Sequence, residues 1–157
     1  MCLITNQSQS KIASKDITCY KVLLKLENEI SNTVFYVSPV RHFAYFSNRT
    51  DLNNKVFKAE KAYGLENSPD DGLEPIYIGN EPVSYELNSG FFHMYKDYDS
   101  AVKAVKSSPL ESYVIFECVI PKDSHYYEGF TSFPSFPSNV SIYPSIASDK
   151  LKIVKQL

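Results

Sequence analysis

The sequence predicts an α+β fold: a single domain, mostly antiparallel sheet, with one clear helix. The length of 157 residues fits one domain. Short runs rich in Val, Ile, Tyr and Phe, separated by polar turns and prolines, are typical of strands. A strand–helix–strand pattern between Gly90 and Pro121 supplies the helical part.

The central unit gives the clearest pattern. Residues 91–95 form a predicted strand, and a helix over about 97–107 follows it. Asp97 is the expected N-cap, because an Asp side chain accepts hydrogen bonds from the first free amides of a helix. An apolar stripe supports the helix at Tyr98, Ala101, Val102 and Val105. Residues 113–120 are apolar on both faces except at Glu117, which is typical of a central strand.

The remaining segments extend this mostly stranded domain over residues 1–157. Further strands are predicted over 17–26, 33–37, 76–78, 83–87 and 151–154. Residues 56–63 fit either a strand or a helical turn. The polar residues 1–15 predict a flexible N-terminal arm, and residues 130–144, rich in Pro, Ser and Phe, predict an extended loop packed by its aromatic rings.

Composition and motifs narrow the function classes. A net charge of −2 disfavours nucleic acid as a partner, and no apolar run approaches the ~18 residues of a membrane span. Three cysteines without a CxxC pair favour a reduced, cytoplasmic setting. The three histidines are widely spaced, and the five glycines form no phosphate-binding loop. We therefore expect neither a metal nor a cofactor.

Two histidines and two tyrosines are the candidate ligand-binding or catalytic residues. His93 and Tyr95 lie on the strand before the helix, and His125 and Tyr127 follow the strand that ends at Pro121. Side chains at strand ends can line a cleft, where a histidine can serve as an acid or base. The alternatives are a packed histidine bonded to backbone at position 93 and an ordinary surface loop at position 125.

Four phenylalanines are the candidate partner-binding residues. Phe43 and Phe46 lie in one predicted loop, and Phe133 and Phe136 lie in another. Exposed aromatic side chains anchor many protein interfaces. The alternative is that these rings fold back onto their own domain.

Four short motifs are spread over most of the chain: Met1-Cys2-Leu3, a Gly-Phe-His strand interrupted here by Phe92, Val119-Ile120-Pro121-Lys122, and Ala147-Ser148-Asp149-Lys150. With these motifs the chain resembles small uncharacterised single-domain proteins of bacteriophages and gut Bacteroidales. The resemblance implies a phage or mobile-element protein in the bacterial cytoplasm or in a virion. It implies no particular activity, small-molecule ligand or cofactor.

The order of elements is also loosely similar to the ADP-ribosyltransferase fold. That fold uses an Arg or His on its first strand, a Ser- or Tyr-containing strand and a late Glu. This chain offers Lys21, His93 to Tyr95 and, in place of the glutamate, Asp149.

The sequence leaves two hypotheses about function. The first is a non-enzymatic protein that binds a protein partner. The alternative is an ADP-ribosyltransferase-like protein that binds or acts on NAD or a nucleotide.

Overall fold

In the part of the chain that the structure describes, one long antiparallel sheet carries a single helix packed on it. The computed structural model describes residues 3–37, 54–58, 73–87, 91–106, 112–135 and 139–157. The elements in these ranges are β1 Leu3–Thr5, β2 Lys11–Ile12, β3 Ile17–Asn28, β4 Thr33–Val37, β5 Lys55–Lys58, β6 Leu73–Ile78, β7 Glu81–Leu87, β8 Phe92–Tyr95, α1 Tyr98–Lys106, β9 Tyr113–Ile120, β10 His125–Ser135, β11 Asn139–Ser148 and β12 Lys150–Gln156.

The strands follow the order β5-β12-β9-β3-β8-β11-β10-β1-β7-β6, with β4 paired to β3 and β2 paired to β10. Long hairpins dominate the pairing: β10 pairs with β11 over ten positions and β6 pairs with β7. The predicted central strand β9 lies between β12 and β3. The described part of the chain is thus mostly β, and the helical share of the predicted α+β class is one short helix.

The helix begins as predicted, and its buried side is shifted relative to the predicted stripe, of which Ala101 and Val105 do pack against the sheet. The Asp97 carboxylate accepts hydrogen bonds from the amide of Ser100 at 2.7 Å and from its hydroxyl at 2.9 Å, so Asp97 is the N-cap. The buried side is centred on Ser100, Ala101 and Ala104, whereas Tyr98 is about half exposed. Small residues on this side let the helix approach the sheet closely, so the predicted stripe was rotated from the true contact face.

The two faces of the sheet carry separate cores. On the face covered by α1, which we call the helix face, Val22, Tyr95 and Tyr143 pack with the two helix alanines. On the opposite face, twelve buried residues form the largest cluster: Ala13, Cys19, Leu23, Tyr36, Phe92, Met94, Phe116, Cys118, Ile120, Ile146, Leu151 and Ile153. Strand alternation produces this division, since Tyr95 and Met94 are neighbours that point to opposite faces.

Within the N-terminal arm predicted over residues 1–15, two short strands, β1 and β2, pair with the sheet. Strand β1 lies between β10 and β7, and Leu3 is fully buried. Between β1 and β2, the Gln7 side chain accepts a hydrogen bond from the Glu128 amide at 2.7 Å. Strand β2 then pairs with the first residues of β10. This short segment, polar in sequence, therefore occupies the edge of β10 that would otherwise present free backbone groups.

Gly129 is required where β1 crosses β10. A Cβ atom at this position would overlap with the carbonyl oxygen of Ile4 and press against the Cα of Thr5. The Thr5 hydroxyl also donates a hydrogen bond to the Glu128 carbonyl at 2.5 Å, which holds β1 at this close approach. A glycine without a side chain is thus what lets the N-terminal strand settle against β10.

The predicted loop over 130–144 is instead most of the β10–β11 hairpin, so that prediction was wrong. The prolines of this segment indicated a loop, because proline has no amide hydrogen to donate to a neighbouring strand. Pro144 pairs with Phe130, one residue beyond the end of the β8–β11 ladder at Ser145, so its nitrogen needs no partner there. Proline is tolerated in a strand under this condition.

We expect Gly129→Ala to destabilise the protein by about 2–3 kcal/mol, because the added methyl group overlaps with backbone that cannot move aside without displacing β1. Chemical denaturation measures the loss. Hydrogen exchange locates it, since amides in β1 and β7 should exchange faster while those in β3 and β9 stay protected.

Gly79→Ala is the matched control for that change. It adds the same methyl group at a position where nothing lies within 4 Å, although its backbone φ of 66° is unfavourable for alanine. Exchange in β1 should remain slow in this variant. Unchanged protection of β1 and β7 in Gly129→Ala would contradict the role given to Gly129.

Candidate functional site

His93 lies on the helix face of the sheet, where it is buried and does not line an open cleft. It lies in β8 opposite Ala147 and is 7% exposed. Burial, together with the neighbouring Lys21 ammonium, lowers the pKa of His93 from 6.5 to about 3. Its imidazole is therefore neutral at physiological pH, which does not suit a proton-transfer role near neutrality.

Lys21 is the unexpected polar residue of the core. It is 2% exposed on the opposite face, between Cys19 and Leu23, and its ammonium donates a hydrogen bond to the His93 carbonyl at 2.8 Å. Strands β3 and β8 pair in the described chain at Tyr20 and Tyr95, so this side chain adds a second connection between them. Burial lowers the pKa of Lys21 from 10.5 to about 8.

The other predicted site residues do not gather around His93. Tyr95 packs edge-on against Tyr143 beneath α1, and burial raises its pKa. Tyr127 is buried and packs against Phe91. It lies on β10, two strands away from β8, and Ala147 on β11 lies between Tyr127 and His93. His125 lies exposed at the start of β10. Strand β11 lies between β8 and β10, and His93 is buried whereas His125 is exposed, so the two imidazoles lie in different environments.

His125 has Ser and Asp neighbours, but their geometry differs from a catalytic triad. The Ser10 hydroxyl and His125 Nδ1 are 3.0 Å apart. The Asp149 carboxylate accepts a hydrogen bond from the His125 backbone amide at 2.9 Å, and so does not orient the ring. A triad requires the carboxylate on the imidazole. Asp149 serves instead in the turn between β11 and β12, where its amide also bonds the His125 carbonyl.

The four aromatic partner candidates fall mainly outside the described residues. Phe43, Phe46 and Phe136 lie there, and for Phe133 the structure describes the backbone alone, in β10 opposite Ser141. Their role as partner anchors stays a prediction. The exposed apolar residues that the structure does describe lie elsewhere on the sheet.

The β6–β7 hairpin presents one group of them. Two residues, Gly79 and Asn80, connect its strands, and Gly79 has a positive φ of 66°. A positive φ at the first turn position is typical of a type II′ hairpin turn, which the Gly-Asn pair could have signalled in the sequence. Its exposed apolar side chains are Ile76 at 36%, Tyr77 at 58%, Ile78 at 73% and Val83 at 49%.

The edge of this hairpin is unsuited to adding another strand. Pro75 lies in the middle of β6 and lacks an amide hydrogen, and the register of the pair shifts between Ile76 and Tyr77. Prolines and bulges in edge strands prevent edge-to-edge association. The hairpin can therefore offer its apolar side chains to a partner, but its backbone edge is unsuited to pairing with another strand.

A second group of exposed apolar side chains lies on the outer strands, on the face of the sheet opposite the helix face. One row of directly paired residues crosses five strands, and we call it the cross-strand row. It consists of Pro144, Phe130, Ile4, Glu86 and Glu74 on β11, β10, β1, β7 and β6. Phe130 is 52% exposed, and Ile142, two residues from Pro144 on the same face, is 65% exposed. The row is apolar at one end and acidic at the other.

The acidic end of the row contains two opposed carboxylates. Glu74 and Glu86 are direct partners across β6 and β7, and neither takes part in an ion pair within the described residues. Like charges placed opposite each other destabilise a strand pair. Glu128, by contrast, is bound by Lys96 at 3.0 Å and by Lys11 at 3.9 Å. Among the described residues, cations thus compensate Glu128 on this face and none compensates the opposed pair.

Other features offer less chemistry. A cavity of about 440 Å³ lies beside the end of β3, lined by Lys25, Leu26, Glu27, Ser112 and Val114. Its two charged groups pair with each other at 3.3 Å. In the ranges that the structure covers, no group of three His, Cys, Asp or Glu residues is arranged to hold a metal ion. No helix there has the length and apolarity needed to cross a membrane.

We expect Lys21→Met to remove a pH dependence of stability. The folded-state pKa of Lys21, about 8, is below the ordinary 10.5, so the unfolded chain binds more protons between these values. The contribution of Lys21 to the free energy of unfolding therefore rises from pH 8 to 10.5, by at most about 1.4 kcal/mol per pH unit. Chemical denaturation of both proteins across this range measures it.

The comparison between the two proteins isolates Lys21. Burial raises the pKa of Cys118 to about 12 and that of Cys19 well above 9.0, so both thiols lower stability above pH 9 in each protein. Lys25→Met, on the same strand with its side chain 37% exposed, is the control. Parallel pH profiles of stability for wild type and Lys21→Met would show that burial does not lower the pKa of Lys21.

We expect Glu86→Lys to stabilise the protein by about 0.5 kcal/mol, because it replaces the repulsion from Glu74 with a cross-strand ion pair. Urea denaturation at low salt measures the change, which should shrink at high salt. Glu29→Lys makes the same charge change in an exposed turn and should have little effect. Equal behaviour of the two variants would mean that the opposed carboxylates cost nothing.

No protein-family model matches the chain, and neither a curated protein nor a solved structure is significantly similar to it.

Proposed function

We propose that this is a non-enzymatic protein-binding module that contacts its partner through the hairpin and the cross-strand row. The observation that carries the proposal is the set of exposed apolar side chains on the outer strands. Ile78 and Phe130 are each more than half exposed, although both lie in regular strands. Groups of exposed apolar side chains on a protein surface are typical of interaction sites.

The placement of the polar candidates supports a binding role over catalysis. His93, Tyr95 and Tyr127 are buried, and His93 is neutral near pH 7. The Ser10–His125 pair is exposed and has no carboxylate on the ring. The ADP-ribosyltransferase-like alternative needs an open cleft lined by His93 and Tyr95, and their burial supplies no argument for one. The phage or mobile-element origin remains part of the proposal through the sequence motifs alone.

A selection with displayed random 16-residue peptides tests the proposal. The full-length protein is the bait, and affinities of the enriched peptides are then measured by fluorescence anisotropy. The double variant Ile78→Ser/Phe130→Ser should bind them about 30-fold more weakly, since losing two partly buried apolar contacts costs about 2 kcal/mol. Both positions are more than half exposed, so the fold should tolerate the changes.

Ile30→Ser/Val56→Ser is the matched control, because these residues are 98% and 55% exposed and lie outside the hairpin and the row. It should bind the peptides like wild type. Absence of enriched peptides, or equal weakening by both double variants, would refute the proposed surface.

A further inference from the structure

We infer that the partner segment is a basic amphipathic helix lying along the cross-strand row, with apolar residues over Phe130 and Ile4 and with Lys or Arg over Glu86 and Glu74. This inference rests on the proposed function and names the chemistry of its ligand. Two independent features of the row lead to it: its spacing and its uncompensated charge.

The spacing of the row matches a helix. Neighbouring strands lie about 4.8 Å apart, so Ile4, Glu86 and Glu74 lie about 5, 10 and 14 Å from Phe130 along the row. A helix rises 1.5 Å per residue, which places residues i+3, i+7 and i+10 at about 4.5, 10.5 and 15 Å. At about 100° per residue, these positions share one stripe of the helix surface.

An extended segment does not match the same spacing. Side chains on one face of a strand repeat every two residues, or about 6.6 Å, which does not coincide with positions at 5 and 10 Å. Pro75 and the register shift in β6 also disfavour the addition of a strand at the hairpin edge. A helix presenting its side chains to the row avoids both obstacles.

The charge of the row selects the basic partner. Glu74 and Glu86 face each other without a cation among the described residues, whereas Glu128 on the same face has two. A Lys or Arg from the partner would relieve this repulsion and form two ion pairs at the edge of an apolar contact. The same acidic end repels nucleic acid and anionic membranes, so a basic protein segment is the occupant that fits.

A charge-swap selection tests the inference. Three full-length baits are compared: wild type, Glu74→Lys/Glu86→Lys, and Glu27→Lys/Glu29→Lys. The last makes the same change in net charge at exposed positions away from the row. Wild type and this control should enrich peptides with apolar residues at i and i+3 and basic residues at i+7 and i+10. The charge-swapped row should enrich acidic residues at the latter two positions.

Affinity measurements complete the test. Basic peptides selected on wild type should bind Glu74→Lys/Glu86→Lys at least about tenfold more weakly, and substituting Glu at their i+7 and i+10 positions should restore that binding. Peptides that depend on Ile78 and Phe130 but show no charge preference would overturn the helix inference and leave the binding surface intact. Failure to enrich any peptide would overturn both.

Discussion

The arrangement of the candidate surface depends on how the N-terminal strand packs against β10. Strand β1 has three residues, yet the β6–β7 hairpin joins the rest of the sheet through it. Its close approach requires Gly129 to lack a side chain, and the Thr5 and Gln7 side chains satisfy the carbonyl and the amide of the preceding residue, Glu128. Without β1, the cross-strand row would be divided between Phe130 and Glu86 and would not exist as a surface.

Lys21 and Asp149 are the polar residues that the sequence analysis compared with catalytic groups, and their contacts in the structure are with backbone. Lys21 bonds the backbone of β8, and the Asp149 carboxylate bonds a backbone amide at the turn into β12. A buried ammonium costs desolvation energy and is tolerated where it forms good hydrogen bonds. Here it links β3 to β8, which pair directly at Tyr20 and Tyr95.

The outer strands show the reverse combination, because residue types that look ordinary in sequence produce an unusual surface. In the sequence, Ile78 belongs to a short predicted strand and Phe130 to the loop predicted over 130–144. Pairing brings the carboxylates of Glu74 and Glu86 together at a cost in stability, and it leaves the apolar side chains exposed beside them. Both features lower the stability of the free protein and would be offset by a basic, apolar partner.

The sequence by itself determined the stranded character of the chain, the bounds of β9, the Asp97 cap and the start of α1, because these depend on local periodicity and capping chemistry. Tertiary structure alone decided that residues 3–12 join the sheet and that prolines lie within β10 and β11, since both depend on which strand edges are free. It also decided the burial of Lys21 and His93 and the composition of the cross-strand row. Those properties arise from pairing between residues distant in the chain, and a local sequence pattern does not indicate which strands become neighbours.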